Sequence, residues 1–199
     1  MQVRVTILLL LLLIPTTLVF ASQSPHQEMD ATTQRYYQII YNAALYYSGL
    51  GPEWSNWISL TIVSYSYKYG INPLFATAML IIESSLNHWE NKSGLQVVKE
   101  SPSGALGFSQ LMPSTASALG VDPCDPEQNI EGGLKYLRQQ LDSFQYAGIW
   151  STDYAIAAYN CGPGRIKEFQ GVPPYSETIN YLHKFAAIFN QLNGEFQRL

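Results

Sequence analysis

Hydrophobic and polar positions alternate along this chain with a helical period almost throughout. After a polar stretch, SQSPHQEMDATTQ, the segment RYYQIIYNAALYYSG sets Tyr36, Ile40 and Ala44 on one helical face, with Tyr37, Tyr41 and Leu45 beside it. Gly49 and Gly51–Pro52 stop that helix, and EWSNWISLTIVSYSYKYG predicts a second one closing at Gly70. Asn72–Pro73 has the chemistry of an N-cap followed by proline at the first helical position, and opens a third helix from Pro73 to about Leu86. Asn87 to Glu100 is polar and irregular, and reads as a loop or flap. Pro113 starts a short helix ending at Gly120, and residues 129–144 carry Ile130, Leu134, Leu137 and Leu141 on one stripe. Ser151–Asp153 reads as the cap of a short buried helix, YAIAAYN, broken by CGPG. The last helix, about 174–193, places Tyr175, Ile179, Leu182, Phe185, Phe189 and Leu192 on one face. No segment has a clear strand period. The expectation is an all-α domain whose helices pack around a central hydrophobic one, the third.

The N-terminus departs from that pattern. MQVRVTILLLLLLIPTTLVFAS carries one positive charge, Arg4, then an apolar run, a helix-weakening PTT, and small Ala21 two positions after Val19. That is the anatomy of a secretory signal peptide over residues 1–21, cleaved after Ala21. An uncleaved anchor is the competing reading, although residues 5–21 fall just short of a spanning helix. With no cysteine near the site, a lipoprotein modification is excluded. Residues 22–55 would then be a lead-in and first helix, and 56–195 the main domain, exported to the periplasm or cell wall with no stable membrane insertion after cleavage. An oxidising compartment permits a structural disulfide between Cys124 and Cys161, the only two cysteines. Two separate small buried thiols fit equally well, and spacing does not choose between them.

Composition narrows the function. The chain of 199 residues is 47% hydrophobic and 13% charged with a formal net charge of −4 and no long basic block, so nucleic-acid binding has no electrostatic footprint. His26, His88 and His183 lack ligand spacing, which argues against a metal centre, and His88 and Glu90 on the irregular loop should be solvated.

The chemistry is concentrated in the third helix. Ala76, Met79, Leu80 and Glu83 share one face by i, i+3, i+4 spacing, so Glu83 is delivered to an apolar wall where the helix ends. Desolvation favours a neutral carboxyl and raises its pKa, the condition a general acid must meet near neutral pH. A structural glutamate paired with Arg or Lys is the alternative. Three further segments look like parts of a cleft. SPSGALGFSQLMPSTA puts Gly104 and Gly107 where backbone must pass close to something, followed by Gln110. AAYNCGPG ends a buried helix in Tyr159–Asn160, and PPYSETINYLHKF opens the last helix with Glu177–Thr178 and places Tyr181 one turn on. Glu177 reads as an early-turn acid or a structural partner rather than a second catalyst.

Taken in order, ESSLN (83–87), SPSGALGFSQLMPSTASALG (101–120), NIEGGLKYLRQQL (129–141), AIAAYNCGPG (155–164) and PPYSETINYL (173–182) resemble the lytic transglycosylases of the soluble type, within the goose-type lysozyme-like fold. The resemblance covers roughly residues 60–190. It implies that Glu83 is the sole catalytic acid/base and that Gln110, Tyr159, Asn160 and Tyr181 line the sugar cleft. Ser84 and Ser101 match serines that would be nearby polar contacts. It further implies cleavage of the β-1,4 bond between N-acetylmuramic acid and N-acetylglucosamine in peptidoglycan strands, without metal or organic cofactor, in a housekeeping role or beside a secretion or conjugation apparatus. Two departures bear on the rim of the cleft: HWENKSGLQVVKE lengthens the usual gap after the acid, and Phe108–Ser109 replaces the more usual Leu–Met. Cys161 stands where small Ala is common. The rival readings are a lysozyme-like muramidase, which would need a second carboxylate (Asp122, Asp125 and Asp153 have easy cap or turn roles), and a non-catalytic wall-binding module.

Overall fold

The computed structural model describes residues 29–199, so the predicted leader at 1–21 lies outside the described residues. The chain order is α1 (Ala31–Ser48), α2 (Pro52–Lys68), α3 (Pro73–Ser84), β1 (Trp89–Lys92), β2 (Leu95–Val98), α4 (Pro113–Leu119), α5 (Pro126–Ser143), α6 (Ser151–Cys161), α7 (Pro163–Phe169) and α8 (Ser176–Arg198), with a 3-10 turn, Gly148–Trp150, before α6. The predicted all-α architecture is present. α3 is its axis, packed against α1, α2 and α8, and Leu74, Ala76, Met79 and Leu80 are fully buried. At about 1.5–3 kcal/mol for each large apolar side chain, this one helix supplies a substantial part of the core.

Local chemistry sets the ends. Asn72 Oδ1 accepts from the amides of Leu74 (2.9 Å) and Phe75 (3.3 Å), as its sequence context predicts. α1 starts four residues before Arg35, because Asp30 caps it through the amides of Thr32 and Thr33 at 2.9 and 3.0 Å. The lead-in helix belongs to the same core: Ile39 and Ile40 are buried with Ile58, Ile62 and Leu80, and the expected boundary at residue 55/56 falls inside α2. Ser151 is the first residue of α6 rather than its cap, its Oγ donating to the carbonyl of Gly148 at 2.8 Å. CGPG does not end helical structure: Gly162 turns at φ 86° and Pro163 restarts it as α7.

Two expectations are corrected. The segment after α3 is not irregular: β1 and β2 form an antiparallel hairpin pairing Trp89 with Val98 and Lys92 with Leu95. Its two-residue turn, Ser93–Gly94, has both φ angles positive at 53° and 83°, the geometry that matches strand twist. On α8 the buried face runs through Thr178, Tyr181, Phe185 and Leu192, while Tyr175 and Ile179 remain exposed. The core takes the stripe that meets α3; Ile179, beside buried Thr178, lies off that stripe, and Tyr175 precedes the helix.

Candidate active site

α3 ends at the carboxylate. Ser84 is its last residue, and Ser85 and Leu86 both take left-handed backbone, φ 60° and 55°. For non-glycine residues this costs of order 1 kcal/mol each and persists only when surroundings impose it. Here Leu86 is fully buried, Asn87 Nδ2 donates to the carbonyl of Ser48 at 3.0 Å, and Lys99 Nζ donates to the carbonyl of Ser84 at 2.9 Å. The turn immediately after Glu83 is thereby fixed from three sides.

Glu83 opens into a cleft of about 420 Å³ also lined by Ser101, Ser103, Gln110, Met112, Thr115, Tyr136, Tyr159, Asn160, Cys161 and Glu177. On its other side a second groove of about 320 Å³ is lined by Ile82, Asn180, Tyr181 and Lys184, and shares Glu83, Asn160 and Glu177 with the first. Among the described residues no Lys, Arg or His pairs with Glu83, which removes the structural ion-pair alternative. Its hydrogen-bond partner is Tyr181, whose Oη donates to Oε1 at 2.5 Å. Burial pushes the Glu83 carboxyl up to about 7; the Tyr181 hydroxyl opposes this by stabilising the anion, and the Glu177 charge adds to it. Such a group is poised between acid and base near neutral pH.

Behind the cleft lining at Gln110 and Tyr159 sits a buried polar clamp anchored by Asn129. Asn129 on α5 is fully buried, and its Oδ1 accepts from the Ser109 amide at 2.8 Å. Its Nδ2 donates to the carbonyls of Leu106 and Pro123, both at 2.9 Å, while Ser109 Oγ donates to the Asn129 carbonyl at 2.9 Å. Tyr159 Oη closes the clamp by donating to the Ser109 carbonyl at 2.9 Å. α5 can approach this closely because both surfaces carry glycine: a Cβ on Gly133 of α5 would overlap Ser109 Oγ, and one on Gly107, in the loop that α5 meets, would lie 2.6 Å from Asn129 Nδ2 and 2.5 Å from the His88 ring. Gly107 is thus the close approach foreseen for this segment, whereas Gly104 at φ 87° serves as a turn. The Phe108–Ser109 departure fits this setting, Ser109 as a clamp member and Phe108 buried between Trp57, Trp89 and His88.

Of the seven anticipated site residues, Glu83, Ser101, Gln110, Tyr159 and Asn160 line the first cleft and Tyr181 holds the acid from the second groove. Ser101 Oγ accepts from the Ala105 amide at 2.9 Å, and Asn160 Oδ1 accepts from Thr178 Oγ1 at 2.9 Å, linking α6 to α8. Ser84 is not brought in: its side chain is buried and its Oγ donates to the carbonyl of Leu80 at 3.2 Å within its own helix. His88 is not solvated but fully buried, its Nε2 3.0 Å from the Cys124 carbonyl and its Nδ1 accepting from the Phe108 amide at 3.3 Å. Burial holds the imidazole below its usual pKa. Glu90, partly exposed on β1, pairs with Lys92 at 2.9 Å and accepts from the Glu100 amide at 3.1 Å. The two thiols are unbridged: Cys124 is exposed before α5, while Cys161 lines the cleft. Glu177, which the sequence reads as an early-turn acid or structural partner, lines both the cleft and the second groove, and Tyr136 lines the cleft; neither Tyr136 nor the clamp residue Asn129 carries a sequence signal that marks it.

The transglycosylase SLT domain family model matches residues 61–181. The chain is 38% identical over 103 residues to a transglycosylase of Enterobacteria phage PRD1, covering 51% of this chain and 34% of that protein. It is 37% identical over 89 residues to a membrane-bound lytic murein transglycosylase F of Vibrio cholerae, covering 39% of this chain and 16% of that one. It therefore spans about a third or less of the length of these relatives. Among solved structures it resembles the 70 kDa soluble lytic transglycosylase of Escherichia coli (TM-score 0.54, 24% identity, 81% of this chain and 28% of that one). It also resembles the lytic transglycosylase Slt of Pseudomonas aeruginosa, solved as an inactive glutamate-to-glutamine mutant (TM-score 0.51, 25% identity, 68% of this chain and 24% of that one).

Proposed function

The chain belongs to the transglycosylase SLT family and has its lysozyme-like fold, and from that premise we propose that it is a peptidoglycan lytic transglycosylase with Glu83 as its one acid and base. The observation that carries the reading is the Glu83 carboxyl itself, in a cleft wall, without a cationic partner, raised to about 7 and held by Tyr181. Neutral Glu83 gives its proton to the oxygen of the β-1,4 bond between N-acetylmuramic acid and N-acetylglucosamine as that bond breaks. The muramoyl N-acetyl group supports the cationic carbon, one of the routes that needs no second carboxylate. Glu83, now an anion stabilised by the Tyr181 hydroxyl, takes the proton of the sugar's C6 hydroxyl. That oxygen closes a 1,6-anhydro ring and no water is consumed.

A muramidase is the second reading, and the cleft focuses it. Asp122 accepts from the Cys124 amide at 2.8 Å, Asp125 caps α5, Asp153 lies in the first turn of α6, and none of the three lines the cleft. Glu177 is the carboxylate that a hydrolase would have to use. The periplasmic or wall location, the leader at 1–21 and service to a secretion or conjugation apparatus belong to the same proposal. The leader and the exported location are supported by the N-terminal pattern. Among the described residues no helix is long and apolar enough to cross a membrane.

Mass spectrometry of muropeptides released from purified peptidoglycan tests the reading. Products one water lighter than hydrolytic ones, lost by a factor of about a thousand or more in Glu83→Gln, are expected. Reducing-end products, abolished by Glu177→Gln, would establish the muramidase instead. A folded Glu83→Gln protein turning over at the wild-type rate would overturn both.

A further inference from the structure

Glu83, Asn160 and Glu177 line both the cleft and the second groove, and so form the seam between them. Two of the three are carboxyls; the Asn160 amide is the one side-chain N–H group among them. An amide has a carbonyl end that accepts and an NH2 end that donates, and the end that faces the seam decides what it can hold. Asn160 is the last residue but one of α6, and its Oδ1 accepts from Thr178 Oγ1, in the first turn of α8, at 2.9 Å. Thr178 is 2% exposed and lines neither groove, so it reaches the seam only through Asn160. Among the described residues Asn160 Nδ2 has no hydrogen-bond partner. Other donors around the acid are already engaged: Tyr181 Oη with Glu83, Tyr159 Oη with the Ser109 carbonyl, and Gln110 Nε2 with the Gly107 carbonyl at 2.9 Å.

Resting on the transglycosylase reading, we propose that Thr178 is a positioning residue: by occupying the Asn160 carbonyl it turns the Asn160 NH2 into the seam, where that group donates to an acceptor oxygen of the bound sugar. The reverse setting would put Oδ1 beside Glu83 and Glu177, oxygen against oxygen, and would offer the sugar no donor. A glycan strand entering the seam brings hydroxyl and carbonyl oxygens out of water, and each needs a donor in exchange. Glu177 as an anion supplies none, and Glu83 supplies none once its proton has gone to the glycosidic oxygen. Without the Thr178 hydroxyl, Oδ1 loses its buried donor and nothing holds the amide in the donating orientation.

The test measures kcat/KM on purified peptidoglycan strands, with each protein held well below its own melting temperature. Thr178→Val and Thr178→Ala both delete the hydroxyl and should lower kcat/KM roughly tenfold, the scale of one hydrogen bond. Thr178→Ser restores the donor and should stay within about twofold of wild type. Asn160→Ala should fall at least as far as Thr178→Val, and combining the two should cost nothing further, because the hydroxyl then has no amide to orient. Strand dissociation constants in the Glu83→Gln background should weaken by the same factor with Thr178→Val and hold with Thr178→Ser. Equal losses from Thr178→Val with and without Asn160, a lower melting temperature with kcat/KM unchanged, or strand binding indifferent to Thr178→Val would make Thr178 a packing residue and overturn the inference, leaving the transglycosylase reading intact. A wild-type protein that cleaves no strand would instead strike that reading, and the dissociation constants would still decide the role of Thr178.

Discussion

Replacing Glu83 by glutamine should stabilise the protein, and only at high pH. The folded carboxyl titrates near 7 against an ordinary 4.5, so between those values the folded state keeps a proton that the unfolded state has released. Stability from the neutral acid is full below pH 4.5 and is lost as pH rises through 7. The slope is about 1.4 kcal/mol per pH unit and the total about 3 kcal/mol, the cost of ionising this carboxyl inside the cleft wall. Glutamine is never ionised and still offers Tyr181 an acceptor of nearly the same shape. The stability difference, mutant minus wild type, should therefore grow by about 3 kcal/mol between pH 4 and pH 8, equivalent to roughly 6–12 °C in Tm for a domain of this size. Urea unfolding of both proteins at pH 4, 6 and 8 measures it, and pH effects from other groups cancel in the difference. The same carboxyl sets the alkaline limb of activity, with kcat/KM falling tenfold per pH unit above about 7. A stability difference flat with pH would mean that Glu83 titrates at its ordinary value, and the argument for a protonated acid would fail.

Glu177→Gln removes the nearby negative charge that helps raise Glu83, so the alkaline limb of the pH–rate profile should move to lower pH, read from kcat/KM between pH 5 and 9. Tyr181→Phe deletes the hydrogen bond to Glu83 Oε1; kcat should fall roughly 10-fold to 100-fold, and the limb should shift to higher pH because the anion has lost its donor. Asn129→Ala strands the Ser109 amide and the Leu106 and Pro123 carbonyls, and should cost about 3 kcal/mol in denaturant unfolding. Gly133→Ala drives a Cβ into Ser109 and should destabilise by about 1–3 kcal/mol or more, seen as a lower melting temperature.

Properties that depend on neighbours in sequence were legible from the letters. Asn72–Pro73 announces the start of α3 because capping is a contact over two or three residues, and the apolar run to Glu83 marks a helix buried on nearly every side. The hairpin was also within reach, since Ser93–Gly94 is a two-residue turn signal between short extended segments. The five ordered motifs pointed to the cleft, and five of the seven anticipated residues line it, with Tyr181 reaching Glu83 from the adjoining groove.

What the sequence could not give is whatever depends on who stands across the gap. Tyr181 meets Glu83 over 98 residues of chain, and desolvation of that carboxyl is a sum over α3, α6 and α8 together. Burial of His88 depends on Phe108 and Cys124 closing over it, Asn129 becomes a clamp only when Gly107 and Gly133 let two segments touch, and Ser84 turns inward because the cleft opens on the other side of Glu83. Helical period is written locally, since each turn repeats the same geometry. A titrating acid and a buried imidazole are made by packing, in which residues distant in sequence set one another's dielectric and partners.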